Sequence, residues 1–276
     1  MRRAFGFAVV LGAVLIPSLA AAQARCTRAE LQGAVDRYIA AQTTGRPSGL
    51  NLASAAKYVE NAKDTAIDRG ILQTPLKIDF HRSLLDVEAC QTFTEVIVTD
   101  SQHPYVLGVR MKTAAGRIAE IEAFVTDKDD WLFNADNYLK YSSAENWGVI
   151  PTDARDSRAT LVAAANAYED RFFNDSVAVP LGTPCNRLEG GMRTGKGRPD
   201  DSCSGGFPTG MPVANRRFVV DPDIGSVVAL SEFSVNRLPD SHLFRLEKGK
   251  VRYVHTLTVC TLPNCGFPVR APSGAQ

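Results

Sequence analysis

Apolar residues follow two rhythms along this chain. In RAELQGAVDRYIAAQ, Leu31, Val35, Tyr38 and Ile39 recur at helical spacing, which predicts a helix with one buried stripe. Thr27 precedes it, and Glu30 follows three residues on, the spacing of a capping box. NLASAAKYVEN reads as a second helical stretch ending near Asn61. Beyond it the period changes to two. ACQTFTEVIVTD, HPYVLGVRMKT and GRIAEIEAFVT alternate between faces, with turn residues at Asp100–Ser101 and Ala115–Gly116, and predict an antiparallel meander. The aromatic connector WLFNADNYLKYSSAENW then runs up to Pro151.

After Pro151 the programme restarts. Asp156–Ser157 can cap a helix over RATLVAAANAYEDRFF, where Leu161 and Tyr168 repeat the spacing of Leu31 and Tyr38 at a shift of 130 residues. PLGTPCNRLEGGMRTGKGRPDDSCSGG reads as a loop-rich replacement for the second helical stretch. NRRFVVDPD, SVVALSEFS, SHLFRLEKG and KVRYVHTLTV are strands. The phrases GRIAEIEAFVT and GKVRYVHTLTV, 133 residues apart, mark the last long strand of each unit, with Glu122 in the first replaced by His255 in the second.

Two helix-then-sheet units in tandem predict an α+β fold. A curved sheet wrapped around a helix leaves a concave face suited to a small apolar ligand. The segments KYVEN, LKIDFHRSLLD, HPYVLG, DWLFNA, ENW, DSRA, GTPCNRLEGG, NRRFVVD and PDSHLFRLEKGKVRYVHTLTVC resemble the nuclear transport factor 2-like (SnoaL-like) cone fold, present twice, as in exported double-cone proteins of bacteria and fungi. The resemblance spans nearly the whole mature chain. The expected segments are a signal peptide over 1–24, a first cone over 25–150, a second over 151–265 and a tail over 266–276. The superfamily also contains cofactor-independent lyases that remove formaldehyde from lignin-derived aromatic dimers, and this chain is similar to them in fold class and in its Tyr/Asn/His/Arg set.

Composition narrows the setting. Arg2 and Arg3, the apolar run from Ala4 to Leu19 and Ala22-Gln23-Ala24 have the layout of a cleaved export signal. Lysine plus arginine number 31 and aspartate plus glutamate 30, so charge gives no reason to expect a nucleic-acid partner. No membrane association is expected after signal cleavage, and a homo-oligomer is left open. An even count of six cysteines in an exported chain points to disulfides. Cys185 with Cys203 would close a Gly-rich segment and is the favoured pair. Cys260-x4-Cys265 has no matching second pair, so no metal is expected. Dinucleotide, phosphate-loop and nucleophile-elbow motifs are absent, and no cofactor is expected.

Several groups of residues carry candidate chemistry. Tyr58, Glu60 and Asn61 in KYVEN would grip a hydroxylated ligand, or merely end a helix. His81 and Arg82 suit proton transfer and the stabilisation of a phenolate, or a salt-bridged rim. Arg110, Lys112, Glu120 and Glu122 on neighbouring strands read first as cross-strand ion pairs on a solvent face, with Glu122 as an alternative base in the cup. Asp240, His242 and His255 are the second-module candidates, a carboxylate–imidazole arrangement or satisfied core residues. Trp131, Tyr138, Tyr141 and Trp147 would stack on an aromatic ligand or join the two modules. The resulting expectation is an acid–base lyase for a small hydroxylated, aromatic molecule. Tyr58, His81 and Arg82 would be catalytic, and Asn61, Glu60, Arg110, Glu122 and Trp131 substrate-binding. The alternative is a non-catalytic exported binding or interaction protein.

Overall fold

The computed structural model describes Met1 and residues 26–266; the expected leader beyond Met1 and the tail beyond Gly266 lie outside the described residues. The chain begins with helix α1 (Arg28–Thr44), capped as expected: the Thr27 side chain accepts from the Glu30 backbone NH, and Glu30 reaches back to the Thr27 NH. Six strands follow: β1 (Leu52–Glu60), β2 (Lys63–Asp64), β3 (Phe80–Asp86), β4 (Gln91–Val98), β5 (Tyr105–Ala114) and β6 (Arg117–Thr126). Helix α2 (Ala135–Ser142) lies within the connector. Helix α3 (Arg158–Arg171) is capped by Ser157 and opens the second unit. Its strands are β7 (Leu181–Glu189), β8 (Met192–Arg193), β9 (Val213–Asp221), β10 (Ser226–Phe233), β11 (Leu238–Glu247) and β12 (Lys250–Thr258).

The first sheet has the order β2-β1-β6-β5-β4-β3 and the second β8-β7-β12-β11-β10-β9, the same topology twice. The molecule is therefore α+β, with two tandem cones. Each sheet is mixed, because β1 runs parallel to β6 and β7 parallel to β12. This corrects two expectations. NLASAAKYVEN is strand β1, since pairing to β6 outweighs the local helical preference of its alanines. GTPCNRLE is strand β7, the counterpart of β1, not a loop.

The repeated phrase has a backbone cause. Two-residue loops join β5 to β6 and β11 to β12. Both central residues of each have positive φ: Ala115 at 49° and Gly116 at 72°, Lys248 at 53° and Gly249 at 69°. That is the primed hairpin turn whose twist matches the flanking strands, and glycine adopts it without strain.

One core fills each cone, around Leu31, Tyr38 and Ile121 in the first and Leu161, Tyr168 and Phe244 in the second. Two further clusters lie between the sheets. One joins Leu84, Phe93 and Phe124 to Val219, Val228 and Leu243; the other joins Ile97, Val106 and Tyr138 to Leu188 and Leu257. The junction repeats its contacts reciprocally. Asp221 accepts from the Leu85 NH at 2.9 Å and pairs with Arg28 at 2.8 Å. Asp86 accepts from the Val220 NH at 2.9 Å and pairs with Arg158 at 2.7 Å.

Candidate functional site: the second cup

The cups of the two cones have diverged. In the first, a turn at Ile71–Gln73 brings Ile71 and Leu72, with Leu76, into the core. Gln42 on α1 holds this segment by donating to the carbonyls of Ile71 (2.9 Å) and Thr74 (3.0 Å). Glu60 holds it from the sheet, accepting from the Ile71 NH at 2.7 Å and from the Tyr58 hydroxyl. Burial and the Glu60 carboxylate push the Tyr58 phenol well above its ordinary value. Asn61 turns the chain with φ 49° and clips Val125, accepting from its NH at 2.8 Å and donating to its carbonyl at 3.3 Å. Tyr58, Glu60 and Asn61 thus latch the first cup's own chain.

The second cup surrounds a cavity of about 510 Å³. Phe172, Phe207, Met211, Phe233 and Leu238 form its apolar wall, and Trp131 reaches in from the connector. Phe207 and Met211 belong to the segment that follows Cys203, which the Cys185–Cys203 disulfide ties to β7. Three ionisable groups meet at the floor. Asp240 and His242, two apart on β11, point to the same face, and Glu169 projects from α3. His242 Nδ1 stands 2.9 Å from Glu169 Oε1 and 2.9 Å from Asp240 Oδ2. Both are ion-pair contacts, and none of the three buried atoms has a partner in full hydrogen-bond geometry. Thr258 donates to the other Asp240 oxygen at 2.5 Å. Burial alone would push the His242 imidazole down; Asp240 and Glu169 overcome it and hold it up at about 10. Beside them Arg187 pairs with Glu189 at 3.1 Å and lies over the Phe207 ring.

Register shows that this floor is peculiar to the second cone. α1 aligns with α3 through Leu31/Leu161 and Tyr38/Tyr168, and β5 aligns with β11 through the pairs Leu107–Val125 and Asp240–Thr258. Ile39, Leu107 and Val109 then stand where Glu169, Asp240 and His242 stand, so the first cup is apolar at all three positions. Of the floor residues, Asp240 and His242 were legible in the sequence, whereas Glu169, Arg187 and Glu189 were not singled out. The available signal was the exchange of a partly buried helix isoleucine, Ile39, for Glu169 on the aligned face.

The remaining sequence candidates lie elsewhere. His81 is exposed on β3. Arg82 points between the modules, 3.2 Å from Glu95, and donates to the Ser142 hydroxyl (2.9 Å) and carbonyl (2.7 Å), with its guanidinium 4.4 Å from the centre of the Trp147 ring. His255 joins the same junction. Its Nδ1 meets Glu95 at 3.0 Å and its Nε2 meets Glu145 at 2.7 Å, while Tyr138 donates to Glu95 at 2.6 Å. Burial opposes the charge on His255, but Glu95 and Glu145 raise it to about 9. Burial likewise pushes Glu95 up, and His255 and Arg82 overcome that to hold it at about 2. Glu122 also faces the junction, not the cup and not solvent. It binds Arg110 of the neighbouring strand at 2.9 Å and Arg217 of the second module at 2.5 Å. Tyr58, Asn61, His81 and Arg82 therefore do not converge on one pocket. Trp131 does line the second cup, donating to Glu189 at 3.3 Å.

A second, more open cleft of about 610 Å³ lies between the connector and the second sheet, lined by Tyr141, Glu145, Arg193, Arg252 and Tyr253 among others. It lacks both the apolar wall and the converging floor of the second cup.

All six cysteines are paired, as Cys26–Cys90, Cys185–Cys203 and Cys260–Cys265. Among the described residues no helix is long and apolar enough to cross a membrane.

No curated protein matches this chain. Among solved structures it is similar to an NTF-2-like protein of unknown function from Burkholderia xenovorans LB400, at 13% identity over 43% of this chain and 94% of that one, with a TM-score of 0.29. Residues 154–258, the stretch that carries Glu169, Asp240 and His242, match the family model described as a domain of unknown function, DUF8021.

Proposed function

We propose that the second cup binds a small hydroxylated aromatic molecule, and that the protein does so after export to the periplasm or the cell exterior. One observation carries this reading: an apolar cavity of about 510 Å³ stands over a buried ionisable floor in one cone, while the other cone is filled at the equivalent place. Phe172, Phe207 and Phe233 offer edges and faces to an aromatic ring, and Asp240 accepts from its hydroxyl. Export is supported by the leader pattern and by the three disulfides, which persist in oxidising compartments. The test is calorimetric titration with phenol, guaiacol and phenylpropanoid alcohols. Saturable binding that weakens about tenfold in Phe207→Ala supports the reading. Equal binding by that variant, or none to any member of the panel, removes it.

The second reading is the acid–base lyase. It is favoured by the convergence of Asp240, His242 and Glu169 under the cavity, a placement that suits proton exchange with a bound alcohol better than the dispersed Tyr58, His81 and Arg82. Incubation with diarylpropane diols should then release formaldehyde and a stilbene, and His242→Gln should abolish both. No product across such a panel leaves the binding reading alone in place.

A further inference from the structure

We propose that Glu169, Asp240 and His242 form a binding site for one divalent transition-metal ion, of the zinc or manganese class. This goes beyond ligand binding in the cup and does not depend on it.

Four observations converge. Glu169 Oε1, Asp240 Oδ2 and His242 Nδ1 lie within 4.8 Å of one another, and all three residues are buried. None of these atoms has a hydrogen-bond partner, although the nitrogen is 2.9 Å from each oxygen. Buried polar atoms are ordinarily hydrogen-bonded, and three that meet only as close ion-pair contacts around a common point are what a shared cation in place of the imidazole proton would satisfy. Two ligand atoms each ~2.1 Å from one ion stand roughly 3.0–3.4 Å apart, close to the 2.9 Å of each nitrogen–oxygen pair here, and the two oxygens lie within 4.8 Å of each other. The outer oxygens are already steadied: Thr258 donates to Asp240 Oδ1 at 2.5 Å, and Ser231 reaches Glu169 Oε2 at 3.4 Å. Such supports orient the ligands of a metal centre.

Charge points the same way. Glu169, Asp240 and Glu189 put three carboxylates at this floor, and Arg187, paired with Glu189, is the lining arginine. Three carboxylates against Arg187 leave two negative charges, of which a protonated His242 answers one; a divalent ion bound to the neutral imidazole answers both. One imidazole with two carboxylates suits zinc or manganese; calcium would call for more oxygens. The cavity above leaves positions open for water or a hydroxylated ligand.

The other buried histidine shows the contrast. His255 meets Glu95 and Glu145 with a different ring nitrogen each, both in hydrogen-bonding geometry, leaving no common point for an ion. The sequence concealed the site because its ligands are a D-x-H pair on β11 and a single glutamate on α3, without local metal-binding spacing.

The test uses the full exported chain, stripped with a chelator and titrated with Zn²⁺ against a chromophoric competitor. One equivalent should bind, with affinity reduced about 100-fold in Glu169→Gln and unchanged in His103→Gln, a variant of an exposed histidine. Unchanged affinity in Glu169→Gln, or no binding above the competitor, overturns the proposal. Because a buried variant can fail to fold, the wild-type protein provides a second reading. Crystals grown with Zn²⁺ should show one anomalous peak in contact with Glu169, Asp240 and His242. A peak only elsewhere, or none, overturns the proposal independently of any variant and of whether the cup binds an aromatic.

Discussion

Replacing His255 with glutamine should open a stability gap that closes as pH rises. In the wild type the imidazolium is buried between Glu95 and Glu145. Removing it leaves Arg82 and the Tyr138 and Ser142 hydroxyls to answer Glu95, and the Trp147 indole NH, at 2.9 Å, to answer Glu145. Holding the imidazole at about 9 against its ordinary 6.5 corresponds to about 3 kcal/mol. That agrees with the roughly 3–5 kcal/mol measured when one partner of a buried ion pair is removed. Because the folded value lies above the unfolded one, the contribution is complete below about pH 6.5 and is lost as pH rises through about 9. Glu95 behaves in the opposite sense. Held at about 2 against an ordinary 4.5, it contributes fully above about pH 4.5, and its contribution disappears as pH falls toward 2. The gap between wild type and variant should therefore be widest, about 3 kcal/mol, between pH 4.5 and 6.5, and shrink below about 1 kcal/mol near pH 10. Urea denaturation of both proteins at pH 6 and pH 10 reads it. A gap that is constant across this range, or that widens with pH, would refute the assignment of His255 as a charged link between the modules.

Three further outcomes follow from the fold. Expressing residues 25–150 and 151–276 separately should give halves that aggregate or melt without cooperativity, because the two clusters between the sheets would be exposed; two soluble, sharply melting halves would show that each cone stands alone. Gly225→Ala should cost clearly more stability than Gly116→Ala, read by thermal or urea unfolding. Both have positive φ, but a Cβ at 225 would lie 2.5 Å from Ile150 and the Leu246 carbonyl, whereas at 116 nothing lies within 4 Å; equal losses would contradict the packing at the junction. Thiol counting on denatured, unreduced protein should find none free among the six cysteines, and four or more would contradict the disulfide framework and, with it, export.

Much of the fold was legible because local physics decides it. The Thr27–Glu30 box, the heptad-like spacing of Leu31 and Tyr38 and the two glycine hairpins act over a few residues, and each keeps its form in the structure. β1 was misread because its partner β6 lies some sixty residues away, and only that pairing makes an alanine-rich segment extended. The site divided along a similar line. Alternation identifies two faces of a strand but not what covers each. His242 and His255 carry the same pattern, yet one looks into the cup and the other into the junction. Arg82 and Glu122 mixed charge with apolar neighbours and so read as chemistry or solvent; the second sheet covers both. Glu169 read as the polar side of a helix, and becomes informative only beside Ile39.

The most direct measurement is a crystal structure of the protein soaked with phenol, the smallest hydroxylated aromatic. The account requires density for the ring in the second cup, against Phe207 and Phe233 with its hydroxyl toward Asp240, and none in the first cup behind Ile71 and Leu72. Phenol seated at Tyr58 and Asn61, or only in the cleft beside Arg193 and Arg252, would contradict it.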